Sequence, residues 1–227
     1  PVDGSNMKIE LVNSDEFETI KEKAISICVG KKGIGTQEVT VQILGDSFVN
    51  GAFFRDALLS KNYIPGIKLV GLRNIKNEEG QYDEGRGGWT VKKYFEIPKG
   101  EMTSYHGYMQ PVGEYRYWGS CEFWKNCYKV INGELTDTEI VYNCGRYDQC
   151  ITKFDKETGY LAAPKKNDLM YDNARGSYMV YTGKKWKNVE VDERKWAFNY
   201  RKYLDMWNLD APKFFAQMLG LNDYRDS

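Results

Sequence analysis

The sequence predicts an α/β protein in which a parallel sheet is interrupted by a β-rich insertion. Three observations predict it. Residues 40–71 read strand, turn, helix, strand; residues 100–195 are rich in aromatic residues and turn dipeptides; residues 196–227 return to a helix followed by a strand. Strand–helix–strand order implies parallel strands covered by helices. A chain of 227 residues can form one large domain with a sizeable core.

The composition is typical of a globular protein, with 41% hydrophobic and 28% charged residues. Basic and acidic residues number 32 each, so the formal net charge is zero. This balance argues against a nucleic-acid partner and against an anionic membrane surface, which select basic proteins. A run of about 18 apolar residues is absent from the sequence, so we expect no membrane insertion.

Residues 1–37 are interpreted as a linker and a β-hairpin. The hairpin could be the end of a preceding domain. Lys8–Val12 and Ala24–Val29 both alternate between polar and apolar residues, and a polar link joins them. This pattern is typical of two antiparallel strands.

Residues 38–99 carry the first α/β unit. Thr40–Leu44 is the first strand, and it ends abruptly in Gly-Asp-Ser at Ser47. The segment that follows has apolar residues at helical spacing between Phe53 and Leu59, and Ile67–Gly71 is the second strand.

Residues 100–195 form the β-rich aromatic insertion. The dipeptides Asn-Gly and Thr-Gly predict turns, and Glu139–Tyr142 and Tyr178–Tyr181 are predicted strands. After it, "WAFNYRKYLDMWNLD" predicts a helix. "APKFFAQMLGLND" predicts a buried strand that begins after Pro212.

Four of the five cysteines lie in the insertion as two pairs with the same spacing, Cys121 with Cys127 and Cys144 with Cys150. They are consistent with two disulfides, with a four-thiolate metal site or with free thiols. The spacing is wider than the Cys-x2-Cys of a strong zinc motif, so all three states stay open. The compartment is not fixed by the sequence, although an extracellular or secreted location is favoured.

Three separated stretches resemble the sequence blocks of the SGNH (GDSL) hydrolases, in the family's order. They are "ILGDSF" (43–48), "DEGRGGWTVKKYF" (83–95) and "FAQMLGLND" (215–223). The resemblance implies a three-layer, flavodoxin-like parallel sheet, with 38–99 as the first part of the hydrolase domain and 196–227 as its truncated continuation. It also implies a serine esterase that needs no cofactor and no metal.

The resemblance places Ser47 at the nucleophile position, Gly88 at the oxyanion glycine and Asn222 at the oxyanion asparagine. Acyl transfer needs an exposed nucleophile and hydrogen-bond donors aimed at the developing oxyanion. The main-chain N–H groups of Ser47 and Gly88 and the side-chain amide of Asn222 would supply three donors. In an open parallel sheet, ligands bind at the carboxyl ends of the strands, where Ser47 and Asn222 both lie.

Three further residues are candidates for substrate binding. Arg86 could face an ester oxygen, although a surface arginine is commoner. Trp89 could form a wall of the pocket or pack in the core, and Asp223 could orient the loop of Asn222. Asp46 is interpreted as the cap of the turn before Ser47.

The branch of the family with Glu-Gly-x-x-Gly-Trp-Thr in its second block resembles carbohydrate esterases. The expected activity is therefore removal of acetyl or other short acyl groups from a glycan or a small ester, so the expected partner is a small-molecule or polysaccharide ester.

The family's Asp-x-x-His block, which supplies the base and its orienting acid, is absent, and His106 is the single histidine. We expect these residues in the remainder of the polypeptide after Ser227, and little turnover by the isolated chain. His106 as a replacement base is the less favoured reading.

The alternative is a catalytically inactive SGNH-fold module that binds a glycan or a protein. Aromatic residues of the insertion could then stack on a sugar, or they could instead form the core of the insertion. The residues concerned are Tyr115, Tyr117, Trp118 and Trp124. A structural part of a larger surface protein is a third possibility.

Overall fold

The computed structural model describes residues 5–12, 19–27, 38–51, 55, 56, 59, 66–74, 82–144, 147–219, 222 and 223. Helices combine there with parallel and mixed sheets, which supports an α/β protein.

The strands are β1 (Ser5–Val12), β2 (Thr19–Ile27), β3 (Val39–Gly45), β4 (Ile67–Val70), β5 (Glu84–Gly85), β6 (Met109–Pro111), β7 (Arg116–Ser120), β8 (Asp168–Asp172), β9 (Ser177–Tyr181), β10 (Trp186–Val189), β11 (Trp196–Phe198) and β12 (Phe214–Met218). Among the described residues, the α-helices with both ends defined are α1 (Ser47–Asn50), α2 (Cys121–Ile131), α3 (Thr138–Cys144) and α4 (Tyr200–Trp207). Arg55, Asp56 and Leu59 are also helical, in the region where the sequence predicts a helix. Short 3-10 helices span Lys92–Phe95, Ile151–Lys153 and Glu193–Lys195.

The parallel sheet is built around β3, which is buried from Val41 to Gly45. Strands β12 and β4 pair with β3 in parallel on its two sides, and β5 pairs with the last two residues of β3. Gly45 is level with Met218 of β12 and with Gly85 of β5. The carboxyl ends of three strands therefore meet at one rim, as parallel pairing requires.

The strands predicted near both ends of the chain are present, but the last one is more exposed than predicted. β1 and β2 pair antiparallel as the predicted hairpin, and β12 begins two residues after Pro212. The burial predicted for β12 is wrong, because Phe214 is 60% exposed and Phe215 46% exposed. Within the described part of the chain, β12 pairs only with β3, so it is an edge strand of the sheet.

Strand alternation divides the side chains of β3 between two layers. Val41 and Ile43 pack with Val49 and Leu69 on one face. On the other face, Leu44 belongs to the large core shared with the insertion, and the Gln42 amide donates to the Tyr203 hydroxyl over 3.3 Å. The insertion and helix α4 therefore both pack against the sheet.

The insertion contains more helix than the sequence predicts. Its sheet has the order β10-β9-β8-β7, with only the β7–β8 pair parallel, and β11 pairs antiparallel with β6. The predicted strand Glu139–Tyr142 is wrong, because α3 spans it. The Asp137 carboxylate accepts the main-chain N–H groups of Glu139 and Ile140, at 3.0 and 3.1 Å, which satisfies two free donors of a helix start.

The predicted helix after residue 195 is shorter than expected. Trp196–Phe198 forms β11, and the helix begins only after Asn199, whose side chain accepts the N–H of Lys202 over 2.9 Å. Asparagine is a preferred N-cap because its side-chain oxygen satisfies an otherwise unpaired N–H group. The helix ends at Trp207, and its C-cap Asn208 takes the left-handed conformation with φ 52°.

Most of the aromatic residues considered for sugar stacking belong to the core of the insertion. Tyr117, Trp118 and Trp124 are at most 7% exposed. Trp124 stacks on Phe154 with ring centroids 4.0 Å apart and planes within 9°, while Tyr115 is half-buried against the second cluster of the insertion. Three of these four rings therefore offer no open face to a sugar. Of the helices described, none has the length and apolar character needed to cross a membrane.

Candidate functional site at the carboxyl end of strand β3

The first predicted site residue, Ser47, stands exposed just past the end of the buried strand β3. It opens α1, and Asp46 is the N-cap, with its carboxylate accepting the N–H of Phe48 over 3.1 Å. The prediction that Asp46 caps this turn is confirmed. The N–H of Asp46 also donates to the carbonyl of Met218 over 3.2 Å, which ties the turn to β12. Ser47 is thus presented to solvent by a turn that is fixed on two sides.

The segment 83–95 lies against the same strand end. The main-chain N–H of Arg86 donates to the carbonyl of Gly45 over 2.8 Å. The Tyr94 hydroxyl lies 2.8 Å from the same oxygen, to which it donates, and 2.9 Å from the carbonyl of Glu84. The second block of the sequence is therefore anchored two residues before Ser47.

Gly88 occupies a backbone conformation that favours glycine. Its φ is 70°, in the left-handed region, and a Cβ placed there would meet no atom within 4 Å. The residue is therefore required for its backbone angle and not for lack of space. Its N–H lies in the turn between Arg86 and Trp89, beside an open surface.

The third segment reaches the second through two side chains. The amide nitrogen of Asn222 donates to the carbonyl of Trp89 over 2.9 Å. Both carboxylate oxygens of Asp223 accept the N–H of Val91, at 3.0 Å. Asp223 is thus engaged with the protein's own backbone in this structure, in the loop-ordering role considered for it.

These contacts bring the three resembling stretches to one rim. Met218 ties the approach to Asn222 to the turn before Ser47, Arg86 ties the second stretch to Gly45, and Asn222 ties the third stretch to the second. The stretches are separated by 35 to 120 residues in the sequence, so this convergence is a property of the fold.

Arg86 is the predicted site residue that the structure places farthest from solvent. It is 1% exposed and pairs with the equally buried Glu84 at 2.8 Å. Its guanidinium also donates to the carbonyls of Glu84 and Tyr105, at 3.0 and 2.7 Å. These partners hold the turn of Gly88 against the insertion, which is an internal structural role.

Trp89 is 8% exposed and packs edge-on against Tyr94, with ring centroids 4.9 Å apart. The guanidinium of Arg86 lies 5.2 Å from its ring centroid, in the range of a cation–π contact. Trp89 also lines a cavity of about 460 Å³ that reaches His106. Both roles considered for Trp89, packing and lining a pocket, are compatible with this position.

His106 is buried, and both of its ring nitrogens are hydrogen-bonded to the backbone. Nδ1 accepts the N–H of Tyr108 over 3.1 Å, so the ring proton is on Nε2, which lies 3.0 Å from the carbonyl of Glu96. Burial, followed by the positive charge of Arg86, lowers the pKa of His106 to about 3. Neither nitrogen is left to accept a proton from Ser47, so the geometry favours a structural role.

Two residues that border the rim have no signal in the sequence. Tyr142, on α3, places its hydroxyl 2.8 Å from the side-chain nitrogen of Asn50, one helical turn after Ser47. The same hydroxyl lies so close to Gly87 that any Cβ there would collide with it. The insertion therefore touches both the helix of Ser47 and the turn of Gly88. Only a long-range contact reveals this, because Asn50 and Tyr142 are 92 residues apart.

The four cysteines of the insertion are buried thiols. Burial, with Cys144 as the nearest partner, raises the pKa of the Cys127 thiol well above its usual value. Among the described residues, no group of three or more His, Cys, Asp or Glu side chains is arranged to hold a metal ion. Cys28 lies outside the described residues.

Comparison of the chain with protein-family models, with curated proteins and with solved structures found no match.

Proposed function

We propose that this protein is a serine ester hydrolase of the SGNH type, with Ser47 as nucleophile. The main-chain N–H groups of Ser47 and Gly88 and the side-chain amide of Asn222 form its oxyanion hole. The substrate is an ester of a glycan or of a small alcohol. The fold in this proposal is the three-layer, flavodoxin-like arrangement of that family.

The observation that carries the proposal is the convergence of three separated segments at the carboxyl end of β3. An exposed serine there follows a buried strand. A glycine with positive φ and an asparagine amide come to the same rim. A nucleophile beside main-chain and amide donors is the arrangement that acyl transfer needs.

The reaction proceeds in two balanced steps. Ser47 Oγ attacks the ester carbon, the bond from that carbon to the alcohol oxygen breaks, and the serine proton passes through a base to the leaving alcohol. Water then attacks the acyl-enzyme, its proton returns to Ser47 by the same route, and the acid is released. The donors at Gly88 and Asn222 stabilise the oxyanion in both steps.

Because His106 is hydrogen-bonded at both ring nitrogens, the proposal takes the base from the family's Asp-x-x-His block, which is expected in the remainder of the polypeptide. The experiment is therefore done with the protein expressed from its complete gene and with the 227-residue chain in parallel. We expect the former to hydrolyse short-chain aryl esters and the latter to show little turnover.

The decisive variant is Ser47→Ala, which removes the nucleophile and should lower kcat by about 10⁴-fold or more. Ser177→Ala, a half-buried serine at the start of β9, is the matched control and should leave the rate unchanged. Hydrolysis that survives Ser47→Ala would contradict the proposal.

A second candidate is a catalytically inactive binding module with the same fold, and the internal bonding of His106 favours it. This candidate predicts that the protein from the complete gene turns over no ester. It also predicts that the protein binds a polysaccharide or a protein, with a change in tryptophan fluorescence.

A further inference from the structure

A cavity of about 490 Å³ lies against the face of β12 that carries Phe215 and Gln217 and has almost wholly apolar walls. We call it the aromatic pocket; its lining is Leu44, Val91, Tyr94, Phe95, Phe198, Tyr200, Phe215, Gln217 and Leu219. Five of these nine side chains are aromatic rings, and none carries a charge at neutral pH. Its size falls within the usual range of small-molecule sites, and its lining favours an apolar, ring-containing ligand.

The lining of the pocket includes residues from all three segments that carry the proposed site. Leu44 stands three residues before Ser47, Val91 stands three residues after Gly88, and Leu219 stands three residues before Asn222.

One wall also contacts the strand end directly. The hydroxyl of Tyr94 donates to the carbonyl of Gly45 over 2.8 Å, two residues before Ser47. This hydrogen bond joins the wall of the pocket to the strand end that carries Ser47.

Three of the rings are partly exposed to solvent, and the rings of the pocket lie close together. Phe95 is 55% exposed, Phe215 46% and Phe198 39%. Phe95 and Phe198 lie with centroids 5.4 Å apart, and Tyr200 and Phe215 meet edge-on at 5.7 Å. Clustered exposed rings mark a binding surface, because leaving them in water costs free energy.

We propose that the aromatic pocket binds the acyl part of the substrate and that this acyl group carries an aromatic ring, as in a phenylpropanoyl ester. The proposal rests on the proposed hydrolase function and replaces acetyl as the preferred acyl group. A two-carbon acetyl group would leave most of the 490 Å³ unfilled. An aromatic ring gains edge-to-face contacts with the wall rings in addition to buried area.

The first test measures binding and needs no catalysis. 3-Phenylpropanoate and acetate are titrated into the 227-residue chain and into the protein from the complete gene. Binding is followed by ligand-observed NMR and by calorimetry. We expect 3-phenylpropanoate to bind at least tenfold more tightly than acetate.

The chain offers a matched pair of variants on one edge strand. Phe215 faces the pocket, whereas its neighbour Phe214 is 60% exposed and, by strand alternation, points to the other face. Phe215→Ala should weaken 3-phenylpropanoate binding about fivefold or more, and Phe214→Ala should leave it unchanged. Equal binding of 3-phenylpropanoate by both variants and the parent would overturn the proposal. Tighter binding of octanoate than of 3-phenylpropanoate would overturn the aromatic preference.

The second test separates this proposal from the hydrolase proposal. Phenylpropanoyl and acetyl esters of one alcohol are compared, and Phe215→Ala should lower kcat/KM for the phenylpropanoyl ester at least fivefold while sparing the acetyl ester. Ser47-dependent hydrolysis with an unchanged ratio would overturn the acyl pocket and leave the hydrolase standing. Binding of 3-phenylpropanoate by a protein that hydrolyses no ester would overturn the acyl role and contradict the hydrolase.

Discussion

The side-chain amide of Asn222 donates to the main-chain carbonyl of Trp89 over 2.9 Å, a contact between residues 133 positions apart. An amide nitrogen carries two hydrogens, so this bond orients the group and leaves the second N–H for another acceptor. In the proposed hydrolase, that acceptor is the oxyanion. The bond to Trp89 thereby sets the position of a donor before substrate arrives.

Asn222→Ala should therefore lower kcat by about 10²- to 10³-fold with a small change in KM, because the lost donor acts mainly on the transition state. Steady-state kinetics of the protein from the complete gene, with an aryl ester as substrate, measures this. Asn222→Asp, which keeps the size and loses the N–H, should behave like the alanine variant. A rise in KM alone would show that Asn222 binds the ground state and is not an oxyanion donor.

Gly88→Ala should show whether Gly88 is needed only for its backbone conformation or also for ester hydrolysis. Open space around the Cβ position leaves only the strain of φ 70°, about 1–2 kcal/mol of unfolding free energy. The matched control is Gly176→Ala, where φ is 62° and the surroundings are equally open. We expect similar losses of stability in urea denaturation, and a loss of ester hydrolysis only for Gly88→Ala. Alanine keeps the main-chain N–H, so this loss would come from displacement of that donor by the strained backbone. Equal activity of the two variants would show that catalysis does not depend on the backbone conformation of residue 88.

Arg86 and Glu84 should behave as a buried structural pair. Arg86→Met leaves the Glu84 carboxylate unpaired in the interior and should cost about 3–5 kcal/mol of unfolding free energy. The control is Arg201→Met, whose pair with Asp205 is largely exposed and should cost less than about 1 kcal/mol. A variant Arg86→Met with normal stability and a raised KM would instead support substrate binding by Arg86.

His106 should give the fold a dependence on pH of predictable sign. Its pKa is about 3 in the folded protein, owing mainly to burial, and about 6.5 in an unfolded chain. Because the folded pKa lies below the unfolded one, the contribution of neutral His106 to the unfolding free energy is complete above pH 6.5. That contribution is lost as the pH falls from 6.5 towards 3. At pH 5 the loss is about 2 kcal/mol, since 1.5 pKa units separate the pH from the unfolded pKa.

The measurement is urea unfolding between pH 7.5 and 5.0 for the parent and for His106→Gln. Asp83, whose pKa burial raises to about 6, contributes the opposite slope to both proteins, so it cancels in the difference. The difference in unfolding free energy between parent and variant should narrow by about 2 kcal/mol as the pH falls. Parallel pH profiles would show that His106 titrates normally.

The sequence predicted the elements whose signals are local. Strand alternation located β3 and the hairpin of β1 and β2, and the Gly-Asp-Ser turn gave the capping role of Asp46. The resemblance to a known family implied that the three stretches lie close together. In the structure, the pairing of β12 with β3 brings the third stretch beside the first.

Other features depend on contacts that local patterns do not encode. The residues of α3 were predicted as a strand. The feature that makes them helical is the Asp137 carboxylate, which caps the start of the helix and is easily missed in the sequence. The expected burial of β12 failed because it depends on which neighbours cover the strand. The Glu84 carboxylate accepts a hydrogen bond from the Tyr203 hydroxyl, 119 positions away in the sequence, and pairs with Arg86 in the core. Neither local segment alone predicts this buried arrangement.

The central claim, that Ser47 is a nucleophile, is tested most directly by covalent labelling of the protein from the complete gene with a fluorophosphonate. Peptide mass spectrometry should find one adduct on the peptide that contains Ser47. The adduct should be retained by Ser177→Ala and absent from Ser47→Ala. An unlabelled parent protein, or an adduct that persists in Ser47→Ala, would contradict the claim and favour a binding module.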